Sequence, residues 1–122
     1  MPCLHNTTLG KLGEDLACAE LSRRGYAILD RRYRTRCGEL DIVARDGATI
    51  VFIEVKTRSS LRFGTPAESI TWRKRRRLCL MAAEYLVRKH LGAVPCRFDL
   101  VAIVTGGGDP TLEIVRGMFT VS

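Results

Sequence analysis

From Thr8 to Arg24 apolar residues recur at helical spacing, with leucines at positions 9, 12, 16 and 21. The pattern predicts a helix, with Thr7 or Thr8 as its N-cap and Gly25 just beyond its end. A first short strand is predicted around Tyr26–Leu29. The segment Glu39–Lys56 reads as a hairpin, because Asp46-Gly47 supplies the positive φ angles of a tight turn. Leu40, Ile42 and Ala44 alternate with Asp41 and Val43, and Val51, Ile53 and Val55 alternate with Phe52 and Glu54. Both faces of that hairpin are substantially apolar, which implies a sheet covered on both sides. After a loop over Thr57–Pro66, a long helix is predicted from Glu68 or Thr71 to Leu91, closed by Gly92. Its apolar stripe is Leu78, Met81, Ala82, Tyr85 and Leu86, and one turn further back the stripe reaches Lys74. A strand at Phe98–Val104, a turn at Gly106–Pro110 and a last strand near Leu112–Val121 complete the order α-β-β-β-α-β-β. This is a single α/β domain spanning residues 1–122, with no internal repeat, linker or low-complexity tract.

Against that background three charges stand out. In Ile50-Val51-Phe52-Ile53-Glu54-Val55-Lys56, an acid and an amine at i and i+2 project from one face of an otherwise apolar strand. Asp41 has the same apolar setting on the preceding strand. With an even-length turn, odd positions of the first strand and even positions of the second share a face, which groups Asp41 with Glu54 and Lys56. Glu14 is the fourth misfit. Gly10, Ala17, Cys18 and Leu21 share its side of the first helix, while Lys11 and Asp15 lie further toward solvent. Charges placed in a predicted core are paired or bind a metal.

The composition, 46% hydrophobic and 27% charged, describes a soluble globular chain, and no stretch approaches the roughly 18 apolar residues needed to span a bilayer. The start Met1-Pro2-Cys3-Leu4-His5 does not resemble a secretion signal. Five scattered cysteines without a CxxC pair suggest neither a disulfide framework nor a zinc site, and they read as thiols of a reducing cytoplasm. The net charge of +7 is concentrated: residues 57–92 carry nine basic and two acidic side chains, whereas the segments before and after are nearly balanced. That block, Arg58, Arg62, Arg73, Lys74, Arg75, Arg76, Arg77, Arg88 and Lys89, would attract a polyanion or else form a solvated helix face.

Magnesium and manganese take hard oxygen ligands, so two or three carboxylates on a rigid sheet make a suitable seat. Asp41 and Glu54 fit that need, and Lys56 projects where it could orient an attacking water or steady charge on a phosphate oxygen. Without the ion the two carboxylates repel and one pKa rises.

The pattern Asp41, then Glu54-Val55-Lys56 on the next strand, with Glu14 on the preceding helix, resembles the PD-(D/E)xK nuclease superfamily, with Leu40 in place of the motif's proline. More of the chain is similar to the YraN-like family of small bacterial proteins, which resemble archaeal Holliday-junction resolvases. The matching pieces are Gly10-x-x-Gly13-Glu14-x-x-Ala17, Gly25-Tyr26-x-Ile28-Leu29, Gly38-Glu39-Leu40-Asp41-Ile42-Val43, Val51-Phe52-Ile53-Glu54-Val55-Lys56-x-Arg58, Gly64-x-Pro66, Lys74 and Arg97-Phe98-Asp99. Two departures are Arg32, where that pattern has an asparagine, and Arg116-Gly117-Met118-Phe119 near the end. The resemblance implies a restriction-endonuclease-like fold and a magnesium-dependent endonuclease, with manganese able to substitute, acting on branched or otherwise structured DNA. Asp41, Glu54 and Glu14 would hold the metal, Lys56 would position the attacking water, and the enzyme would work as a homodimer because two strands are cut symmetrically. The same residues are compatible with a nucleic-acid-binding module that keeps the fold without cleaving, or with a protein adaptor that uses the basic helix.

Several neighbours are open to plainer readings. Asp41, Glu54 and Lys56 could form a buried salt bridge. Glu14 could pair with Lys56 or Lys74, and Glu39 with a nearby arginine. Lys74 could lay its stem over apolar surface or reach a phosphate. Arg73, Arg75, Arg76 and Arg77 would hold a backbone without reading sequence. Trp72, Tyr33 and Phe63 are read as packing in preference to stacking on an unpaired base. Asp99 is read as a structural hydrogen-bonding residue, and His5 and His90 are too isolated to assign.

Overall fold

A computed structural model describes residues 4–58, 70–106 and 108–119, with residues 4–10 in backbone only. Readings placed on the side chains of His5, Thr7, Thr8 and Leu9, and on Arg62, Phe63, Gly64, Pro66, Glu68 and Val121, lie outside the described residues. The elements are α1 (Leu4–Arg23), β1 (Ala27–Thr35), β2 (Gly38–Asp46), β3 (Thr49–Arg58), α2 (Trp72–Arg88), β4 (Cys96–Val104) and β5 (Thr111–Val115). They form one five-stranded mixed sheet in sequence order. Strands β1, β2 and β3 make an antiparallel meander. The stretch containing α2 then carries the chain to a β4 parallel to β3, as a parallel pairing requires.

Each helix covers one face, as the doubly apolar hairpin requires. Ala17 and Leu21 of α1 pack on Ile42, Ala44, Val51, Ile53, Val101 and Ile103. Leu78, Met81, Ala82 and Tyr85 of α2 pack on Leu40, Val43, Ile50, Phe52 and Phe98. Gly13 lets α1 approach closely, because a Cβ there would stand 2.4 Å from Thr57 Oγ1.

Leu40 and Ile42 are two residues apart on β2, yet they join opposite cores. An uninterrupted strand would put both on one face. The phase therefore changes at Asp41. Across from it Arg32 adopts φ 52, and the β1–β2 pairing passes from Arg31↔Ile42 to Tyr33↔Leu40 with the Arg32 and Asp41 positions left out. The β2–β3 ladder runs from Asp46↔Thr49 to Ile42↔Ile53 and stops there. Beyond that point β2 stays paired to β1 as far as Thr35↔Gly38, and β3 stays paired to β4 as far as Arg58↔Val104. The sheet forks at Asp41 and Glu54.

Four boundaries differ from the sequence reading. Helix α1 begins at Leu4, ahead of the predicted threonine caps. Strand β1 extends to Thr35 rather than ending near Leu29, its polar run Asp30–Arg34 concealing the strand. Strand β5 ends at Val115, because Gly117 turns the chain with φ 64 and gives its N–H to Asp99. Helix α2 starts after Thr71, whose hydroxyl caps the Lys74 N–H at 3.1 Å. It ends at Arg88 with Lys89 as C-cap, and His90 (φ 55) and Leu91 return N–H bonds to Val87 and Leu86 in a Schellman arrangement, so the left-handed residue that closes the helix is His90, two positions before the predicted Gly92.

Candidate functional site

The fork assembles the candidate residues from three elements. Extending the β2–β3 register one pair past Ile42↔Ile53 brings Asp41 opposite Glu54. Ladder geometry is replaced there by a side chain: Asp41 Oδ2 accepts the Val55 N–H at 2.8 Å, which satisfies a backbone donor that the departing strand no longer reaches. Burial, then the Glu54 charge, push the Asp41 carboxyl up from 3.8 to about 7, and Glu14 adds to the rise. The predicted repulsion between the paired carboxylates is thus present.

Glu54 is 6% exposed and lies on the α2 side of the sheet. Its Oε2 is 2.8 Å from Lys74 Nζ and 3.7 Å from Lys56 Nζ. Lys74 occupies the inward stripe of α2, as its spacing predicts, and its amine spans from helix to strand instead of reaching solvent. Glu14, 8% exposed, is held from the other direction. Arg32 Nε stands 2.9 Å and Arg31 Nη2 3.6 Å from Glu14 Oε1, so its partners are β1 arginines and not Lys56 or Lys74. Among the described residues no three of His, Cys, Asp and Glu are gathered as a ready metal cage. Asp41 and Glu54 are the two carboxylates that face each other; Glu14, paired with the arginines of β1, is near enough for its charge to act on Asp41.

Residues 13–103 match the model of the Uncharacterised protein family UPF0102. The chain belongs to this family. It is 47% identical over 116 residues to a UPF0102 protein of Rhodococcus opacus, covering 94% of this chain and 98% of that protein. Against UPF0102 proteins of Moorella thermoacetica and Geobacter sulfurreducens the identities are 49% over 112 residues and 47% over 116. Those alignments cover 90% and 94% of this chain, and 93% and 91% of the relatives.

The arginine at position 32 of this UPF0102 chain now has a physical meaning. A φ of 52 is the left-handed region, where asparagine is at ease and other non-glycine residues are strained. Arg32 holds that conformation while its guanidinium reaches Glu14, a span that a side chain as short as asparagine would not bridge. Sequence reading missed both Arg31 and Arg32 as partners of Glu14; the departure at 32 was the available signal.

The other candidates fall into place around the fork. Glu39 pairs with Arg34 at 3.5 Å. Arg73, Arg75, Arg76 and Arg77 line the exposed side of α2, and Arg58 is half-buried at the end of β3. Arg75 is set over the Phe119 ring at 5.5 Å. Tyr33 packs edge-on against Tyr85 with ring centroids 4.8 Å apart, as expected. Among the described residues nothing covers Trp72: it is 84% exposed, because the first position of α2 points away from the Leu78, Met81 and Tyr85 stripe.

Asp99 is fully buried and structural. It accepts Arg97 Nε at 2.9 Å, Tyr26 OH at 3.0 Å and the Gly117 N–H at 2.9 Å, while Arg97 also reaches Asp46 at 2.9 Å. Sequence reading found Asp99 but not this network, whose Tyr26–Asp99 hydrogen bond joins residues 73 apart. Cys18, Cys37, Cys79 and Cys96 are free thiols. No described helix is long and apolar enough to cross a membrane.

Proposed function

We propose that this UPF0102 protein is a divalent-metal-dependent endonuclease that hydrolyses phosphodiester bonds in branched or otherwise structured DNA, working as a homodimer in the cytoplasm. The observation that carries this reading is the forked pair, Asp41 against Glu54, with Lys56 on the same strand. A buried carboxylate and a half-buried one that repel each other lower their energy by sharing a cation, and an all-oxygen pair suits magnesium or manganese. Asp41 and Glu54 would hold the ion, with Glu14 assisting through the arginines that border it. Such an ion would polarise the scissile phosphate and acidify a bound water. Lys56 would orient that water and offset charge on the phosphate. Arg58, Arg62 and the exposed arginines 73 and 75–77 of α2 would hold the DNA backbone.

Cleavage assays on junction, flap, single-stranded and duplex DNA with magnesium or manganese test the reading. Wild type is expected to cut at least one branched substrate, and Asp41→Ala and Lys56→Ala to lose that activity. Intact substrates throughout, or activity equal in the Asp41→Ala protein, would overturn it.

One observation favours a second reading, a nucleic-acid-binding module without catalysis. Lys74 already neutralises Glu54 at 2.8 Å. Calorimetric titration with manganese separates the two: saturable binding that Glu54→Ala abolishes supports the nuclease, and no binding supports the module.

A further inference from the structure

Trp72 is the sole tryptophan of the chain, and at 84% exposure it leaves the most apolar surface in water of any large side chain described. An indole face of this size usually finds a partner. Its surroundings specify what kind. Trp72 opens α2, whose first turn contains no acidic residue, and Arg73, Arg75 and Arg76 follow within one turn, all exposed. Lys74, two positions on, reaches inward to Glu54 of the candidate centre. An exposed aromatic face followed within one turn by exposed arginines, with the candidate centre reached from the same turn through Lys74, matches a nucleobase joined to its phosphates: the ring offers stacking and the guanidinium groups take the backbone. A base within a duplex has no free face to offer, so the match is to an unpaired base.

We infer that Trp72 is a stacking platform for an unpaired nucleobase, so that the substrate class is DNA with single-stranded character beside the scissile phosphate, as in a flap, a splayed junction or a single strand. The inference rests on the nuclease reading for the word substrate, while the binding itself stands apart from cleavage. Stacking of this kind is sequence-tolerant, because every base has a π face. Trp72 would therefore select DNA structure, complementing arginines that hold any backbone.

The lone tryptophan supplies its own probe. Wild-type protein is titrated in EDTA with oligothymidylate and with a blunt duplex of equal length, following indole fluorescence, and variants are compared by anisotropy of labelled DNA. The single strand is expected to quench the fluorescence well beyond the duplex. Trp72→Ala is expected to weaken single-strand and flap binding roughly five- to a hundredfold while duplex affinity changes less than twofold, and Trp72→Phe to retain most of the affinity. Absent quenching, equal losses on single strand and duplex, or unchanged DNA binding with a dissociated dimer in Trp72→Ala would each overturn the inference, the last by assigning the indole to a self-interface. Because no divalent ion is present, a protein that passes this titration but never cleaves refutes the nuclease reading alone.

Discussion

Replacing Asp41 by asparagine should make the folded protein more stable while removing one ligand of the proposed metal. Folding raises the Asp41 pKa from 3.8 to about 7 through burial and the facing Glu54. A carboxyl whose pKa rises on folding binds more protons folded than unfolded, so stability falls as pH climbs from 3.8 to about 7 and is level above that. At 1.36 kcal/mol per unit, the raised pKa costs on the order of 4 kcal/mol at pH 8 and less than half of that at pH 5. Asparagine is neutral at both and its Oδ1 can still accept the Val55 N–H. In EDTA, Asp41→Asn should therefore be more stable than wild type by up to about 4 kcal/mol at pH 8 and by much less at pH 5, read from urea midpoints at constant slope. Adding magnesium at about a hundred times its Kd should stabilise wild type by about 2.7 kcal/mol and leave the variant unmoved, narrowing the gap. A variant less stable than wild type at pH 8, or a gap that does not change between pH 5 and 8, would refute the argument that Asp41 is held ionised at a cost.

Lys74→Met removes the cation 2.8 Å from buried Glu54 and should lower stability in EDTA by about 3 kcal/mol, with manganese restoring part of the loss in a thermal melt; no recovery would place Lys74 outside the metal's influence. Gly13→Ala should destabilise by about 1–2 kcal/mol despite the better helix propensity of alanine, since the new methyl meets Thr57, and Thr57→Ala in the same chain should recover the loss. Asp99→Ala should cost about 1–3 kcal/mol by leaving the Tyr26 hydroxyl and the Gly117 N–H without their acceptor and Arg97 with Asp46 alone, and calorimetric manganese affinity in the folded variant should match wild type.

The sequence reading located the cluster of inward charges better than its surroundings. Glu54 and Lys56 were visible because a strand of period two leaves no ambiguity about which residues share a face. Gly47 made the turn legible, and with it the pairing that brings Asp41 to Glu54. Parity alone, however, assumes an unbroken pleat, and the change of phase between Leu40 and Ile42 arises from Arg32 and Asp41 acting on neighbouring strands, which no window on one strand contains. The two ion pairs that dominate the site were illegible for a related reason. Lys74 to Glu54 and Arg32 to Glu14 join elements whose mutual placement only the packed structure fixes. Trp72 went the other way: propensity for burial suggested packing, but its register on α2 faces it outward.

The fork also sets an order of events for folding. Asp41 and Glu54 lie 13 residues apart across one hairpin, whereas Lys74 arrives only with the crossover that builds the parallel β3–β4 pair. Local meanders close quickly and parallel crossovers slowly, because the longer loop must be ordered before its contacts form. The nascent meander therefore brings two like charges together before their helix-borne counterion is in place. Docking of α2 relieves that repulsion as it completes the core, so electrostatic relief and hydrophobic burial are gained in the same step, and an early-binding divalent ion would act as a folding nucleus for the meander.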